Sequence, residues 1–149
     1  MDSSTTSQAG HVVDLSILFS RIYLTVAAND GEILDRFINH AQTHGLENLP
    51  GRLKPSWDVH RDDPFFLKKV EYARHWDLWH YHVGMPYFDE TNGHGDFTSE
   101  WVLHLRRLPC GTRTQIVDWD KHPPFELPKE KYFVMPGDEH PFVFPKKLK

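Results

Sequence analysis

Apolar and polar positions change rhythm several times along the chain, and each rhythm predicts an element. Between Leu15 and Val26 they partly alternate: Leu18, Ser20, Ile22, Leu24 and Val26 share one face, with Phe19, Arg21, Tyr23 and Thr25 on the other. That period of two predicts a strand from about Phe19 onward, while the earlier part of the segment is also compatible with a helix. Ile33, Leu34, Phe37, Ile38 and Ala41 then recur at helical spacing. Asp30 suits an N-cap, Glu32 faces the positive end of the helix dipole, and Gly45 supplies a left-handed C-terminal cap, predicting a helix over 30–44.

Leu46 to Pro64 reads as a loop with one possible helical turn, and Phe65 to Ala73 is compatible with helix or strand. Trp76 to Gly84 is dense in aromatic and histidine residues and reads as a strand buried on both faces. Asn92-Gly93-His94-Gly95-Asp96 marks a turn within Pro86 to Phe97. Trp101 to Leu108 and Arg113 to Trp119 are strands joined by the tight Pro109-Cys110-Gly111 turn, giving an antiparallel meander. Residues 1–11 read as a disordered leader, and the proline-rich stretch 123–149 as an extended tail on the surface of one domain spanning 12–149. The layout is α+β, with one main helix packed on a small antiparallel sheet.

Composition narrows the class. With 149 residues, 39% hydrophobic, the chain supports one core. No stretch approaches the roughly 20 uninterrupted apolar residues of a membrane-spanning helix, so no membrane partner is expected. Cys110 is a lone cysteine in a turn, which fits a reducing cytoplasm and an incidental thiol better than a nucleophile. The net charge of −4 is unevenly spread: residues 1–100 carry 8 Lys and Arg against 15 Asp and Glu, whereas 101–149 carry 9 against 6. A nucleic-acid partner would therefore meet a local basic face.

Eleven histidines are present, and their placement suggests chemistry. His80 and His82, two apart on a strand, project from one face about 7 Å apart. His104, Arg106 and Arg107 lie on the next strand, Arg113 on the one after, and Lys121 and His122 just beyond it. Imidazoles exchange protons near neutral pH, and guanidinium forks hold phosphate oxygens. RNA cleavage by internal transfer needs both, since a base takes the 2′-hydroxyl proton, an acid protonates the departing 5′-oxygen, and cations hold the phosphate. That chemistry calls for no metal and no cofactor. Lys68 and Lys69 are further candidate phosphate contacts, and Tyr87, Trp101, Trp119 or Phe125 could stack unpaired bases. For any single one of these histidines the competing reading is structural, because a histidine on an aromatic strand more often bonds backbone or carboxylate than takes part in catalysis. A cupin-like metal site is a third, with the His80–His82 pair joined by His104, Glu90 or Glu100. A fourth is a non-catalytic interaction or immunity-type module whose acidic first 100 residues bind a basic partner.

The order of segments adds a family likeness. An early SRIYLTV segment, the helix DGEILDRFINHAQTHG, GLENLP, the segment KKVEYARHWDLWHYHVG and the strand TSEWVLHLRR together resemble the YafO-like toxins of the RelE superfamily. The matched elements are the His80-Tyr81-His82 motif, the Thr98-Ser99-Glu100 opening of the next strand and the late His122, over about residues 20–125. The resemblance implies a RelE-like sheet and a toxin that cleaves mRNA on the ribosome and is neutralised by a cognate antitoxin. It supports His80, His82 and His122 as catalytic; Arg106, Arg107, Arg113, Lys121, Lys68 and Lys69 rest on charge alone.

Overall fold

The computed structural model describes residues 10–122 and 126–138. Strand β1 (Val12–Leu15) ends at Ser16, which is buried and works in two directions. Its hydroxyl accepts the Phe19 N–H at 3.0 Å as an N-cap and donates to the Val117 carbonyl at 2.9 Å. The cap turns the chain into helix α1 (Ile17–Thr25) where alternation predicted a strand. Helical spacing accounts for the outcome: Phe19, Ile22, Tyr23 and Val26 face the core, while Leu24, on the same face as Ile22 in the strand reading, is 80% exposed.

Helix α2 (Ala28–His44) buries Leu34, Phe37 and Ala41 as expected, but it starts at Ala28 behind an Ala27 N-cap that makes no side-chain bond, so Asp30 lies in its first turn. It closes at Gly45 (φ 69°), whose N–H donates to the Ala41 carbonyl. The segment read as a loop holds a three-residue strand, β2 (Leu53–Pro55). Helix α3 (Phe66–His75) resolves the ambiguous stretch as helical. Strands β3 (Leu78–His82), β4 (Trp101–Arg107) and β5 (Arg113–Lys121) form the expected meander.

The sheet order is β1-β5-β4-β3-β2. It is not purely antiparallel, because β1 runs parallel to β5, with Val12 opposite Arg113. Nor does one helix serve it. Helices α1 and α2 cover one face, where Phe19, Leu34, Phe37, Tyr81, Leu103, Leu105 and Ile116 form the main core. On the other face α3 and a 3-10 turn (Glu130–Phe133) pack Ala73, Leu78, Val117, Phe133 and Met135 into a second cluster. The described part of the tail therefore contributes core: Phe133 stacks on Trp76 with ring centroids 4.2 Å apart, and the Tyr72 hydroxyl donates to the Pro128 carbonyl at 2.7 Å.

A register shift after His104 pairs it with Asp118 and Leu105 with Ile116, so Val117 is the extra residue of a bulge. The bulge turns Val117 and Asp118 toward the second face together, one into the apolar cluster and one beside the histidine row.

Candidate functional site

The second face has an apolar end under α3 and a polar end built from four strands. Directly opposed residues in antiparallel strands place their side chains on the same face. Lys54 is opposite His80, and His80 is opposite His104, which in turn is opposite Asp118. One step along, the His82 N–H donates to the Arg52 carbonyl at 3.0 Å, which sets Arg52 beside His82. His122, just past β5, completes the group: its ring lies 5.6 Å from that of His82 at a 30° interplanar angle and 6.3 Å from that of His80. Its backbone N–H donates to the Glu100 carbonyl at 2.7 Å, which fixes the chain where it leaves the sheet.

Each imidazole has defined neighbours. His80 Nδ1 is 3.0 Å from the buried Ser56 hydroxyl. His82 Nδ1 lies within hydrogen-bond distance of the Ser99 N–H, whose hydroxyl in turn accepts the Gly84 N–H. Gly51 is obligatory here, because a Cβ would fall 2.0 Å from the His82 carbonyl oxygen. Its N–H donates to the Tyr81 hydroxyl at 3.0 Å, so the chain entering β2 is pinned against β3.

Electrostatics make the imidazoles neutral. Burial, followed by the charges of His104, His82, His122 and Lys54, pushes His80 down to about 3. His104, wholly buried, is held down to about 3, first by burial and then by His122. Burial also lowers His82, with His122 and Arg52 adding to it and the Ser99 backbone and Asp96 opposing. His122, the most exposed of the four, is lowered by burial and then by Arg52. The result is a set of proton acceptors next to two cations. Of these groups His122 alone lines the neighbouring cleft of about 300 Å³, together with Pro86, Tyr87, Asp89, Thr98, Ser99 and Glu100.

The structure brings together His80, His82 and His122 as expected, and separates most of the predicted cations from them. Arg106 is on the same face but spent on structure: its Nε donates to the Trp76 carbonyl at 2.8 Å, Nη1 to Gln115, and the guanidinium lies over the Trp76 ring. Arg107 points to the opposite face, over Trp79. Arg113 pairs with Asp14 at 2.6 Å at the far end of β5, eight residues or roughly 26 Å of strand from Lys121. Lys121 does flank His122, with its Nζ 3.7 Å from Glu100. Lys68 is exposed on α3, and Lys69 is engaged with Asp63 at 2.7 Å. Trp101 and Trp119 are half-buried against each other in the main core, whereas Tyr87 is 75% exposed; Phe125 lies outside the described residues.

Sequence reasoning missed Lys54 of β2, Arg52 and Ser56 on either side of that strand, and Asp96, which pairs with Arg52, and it gave His104 no catalytic role. Three residues, the last of them Pro55, give too little alternation to read, so nothing marked β2 as a strand. The metal alternative finds no counterpart: among the described residues no group of three or more His, Cys, Asp or Glu side chains is placed to hold a metal ion. The sheet is open, with β1 and β2 as its edges, where a cupin needs a barrel. No helix among the described residues is long and apolar enough to cross a membrane. No protein family, curated protein or solved structure matches the chain.

Proposed function

We propose that this protein is a toxin-type endoribonuclease of the RelE/YafO kind, cleaving mRNA on the ribosome by 2′-hydroxyl transfer and neutralised by an antitoxin in the cytoplasm. The observation that carries the reading is the convergence of three imidazoles, His80, His82 and His122, the last of which lines an open cleft. In the transfer, a neutral imidazole takes the 2′-hydroxyl proton, and the 2′-oxygen bonds to phosphorus. The bond to the 5′-oxygen then breaks as that oxygen receives a proton from a second imidazole, leaving a 2′,3′-cyclic phosphate.

His82, whose ring lies against that of His122, is suited to the base, because burial keeps it neutral, whereas His80, pushed down to about 3, is too weak a base for neutral pH. His122 is suited to the acid. Burial and Arg52 hold its pKa down in the free protein, and a bound phosphate supplies the negative charge that raises it. Substrate thus loads its own acid. Arg52 and Lys54, on the histidine face, are placed to meet the phosphate, whereas Lys121, opposite Trp101 in the register, projects from the other face and reaches Glu100.

Expression in a bacterial host is expected to arrest growth, and purified protein to yield RNA fragments with 2′,3′-cyclic phosphate ends. His82→Ala and His122→Ala remain folded and lose both effects. Harmless expression with intact RNA overturns the reading in favour of a binding module.

A further inference from the structure

We infer that Arg52 and Lys54 of the edge strand, together with His82 and His122, form a seat for a single phosphate group that is taken up with a proton. This deepens the proposed function by naming the anion subsite of the same cluster.

Geometry carries the first half of the argument. The pairing of β2 with β3 sets Lys54 across from His80 and Arg52 across from His82, so both cations share the histidine face. Arg52 is preorganised. Its backbone N–H donates to the Phe97 carbonyl at 2.8 Å, and Gly51 before it has no room for a side chain. Asp96 accepts from its Nε at 2.6 Å and from its Nη2 at 3.2 Å. That fork orients the guanidinium and leaves the Nη1 edge for another acceptor. The side chain is one-third exposed, so the edge is reachable from solvent.

Charge balance carries the second half. Asp96 offsets Arg52 and Asp58 offsets Lys54 at 3.2 Å, so the two cations alone do not balance a phosphate. Five further imidazole or carboxylate groups share this face: His80 from β3, His104 from β4, Glu100 paired with Lys121, and from β5 Asp118, which burial raises to about 7, and the half-buried Asp120 opposite Val102. The remaining compensation comes from His82 and His122, which are neutral in the free protein and gain a proton when an anion is placed beside them. Phosphate binding is accordingly linked to proton uptake, and affinity rises as pH falls from 7 toward 6.

The probe is inorganic phosphate, titrated at constant ionic strength while imidazole resonances are followed by NMR. Wild-type protein is expected to show saturable shifts of His82 and His122 and a net proton uptake detectable by calorimetry in buffers of different ionisation enthalpy. Arg52→Gln weakens the affinity about tenfold, the loss of a charge-assisted hydrogen bond, and Lys54→Gln weakens it in a variant that leaves the Asp96 pair intact. A short RNA blocked by 2′-O-methyl groups that displaces phosphate assigns the seat to a nucleic-acid backbone. Failure to displace it assigns the seat to free phosphate. Absence of saturable shifts, or wild-type affinity in both variants, overturns the inference. Phosphate binding without RNA cleavage leaves the seat standing and removes the ribonuclease reading; cleavage without phosphate binding does the reverse.

Discussion

The His122 ring lies over that of His82, 5.6 Å between centroids, although the two residues come from strands separated by β4. His122 reaches across because the chain leaves β5 there and is tied to Glu100. His122 is half-buried and outside both core clusters. Its replacement by alanine is expected to abolish activity while shifting stability by less than about 1 kcal/mol. Growth arrest on expression and a denaturant midpoint measured on the same variant check both parts.

Arg113→Ala serves as the counter-case. Its guanidinium is engaged with Asp14 at the opposite end of the strand. Removing an exposed pair of this kind costs about 1 kcal/mol or less. Activity per folded molecule is expected to remain at the wild-type level, measured as initial rate of RNA cleavage; a large drop would mean that the substrate runs the full length of β5.

Stability should depend on pH in two opposed ways. His80 and His104 titrate near 3 in the folded protein against 6.5 in the unfolded chain, so the unfolded state binds more protons between these values. Their contribution is full above 6.5 and is lost as pH falls; His82 and His122 act in the same sense. Asp118 is raised from 3.8 to about 7, by burial first and then by Asp120. The native state holds its proton longer, so stability is lost as pH rises through that interval. Histidines outnumber the aspartate, which puts the maximum near pH 6.5. Urea unfolding across pH 4–8 tests this, with Asp118→Asn expected to abolish the decline above 6.5 and steepen the one below it.

Gly51→Ala tests the pinning of β2. The added carbon would lie 2.0 Å from the His82 carbonyl oxygen and 2.9 Å from Tyr81 and Phe88 ring atoms. Backbone cannot yield cheaply there, so a cost of about 3 kcal/mol or more is expected. Gly93→Ala is the comparison: its Cβ meets nothing, and only the φ of 87° opposes it, at about 1 kcal/mol. Equal midpoints for the two variants would refute the close approach.

Phe133→Ala asks whether the tail is core. With Trp76 stacked on it and Met135 beside it, truncation should cost about 3 to 5 kcal/mol, read by chemical denaturation. A surface strap would lose far less.

The elements legible in advance were those whose pattern was long enough to exclude its rival. Ile33 to Ala41 repeats over a helical span, and β3 to β5 are separated by strong turn signals. Over Phe19 to Val26 both periods fit in part, and the deciding signal was Ser16, whose cap was overlooked. The histidines of β3 were visible because period two is local. Arg52 and Lys54 were not, since they join the site only through pairing between residues about 30 apart, and the proline at Pro55 argued for a loop when it in fact occupies an edge strand, where a missing N–H is tolerated. Arg113 was misplaced for the complementary reason: charge counting has no sense of which end of a strand a residue occupies.

The parallel pairing of β1 with β5 also orders events during synthesis. Val12 must wait for Arg113, about a hundred residues later, before its strand has a partner. Ser16, which starts α1, likewise donates its N–H and hydroxyl to Ile116 and Val117, both about a hundred residues later. Until β5 leaves the ribosome, α1 and α2 therefore have no completed sheet to cover, and their apolar faces stay open to whatever else is nearby. For most of translation the nascent chain resembles a client for a chaperone, and the histidine face, which needs β2 to β5 together, comes into being only with its last strand.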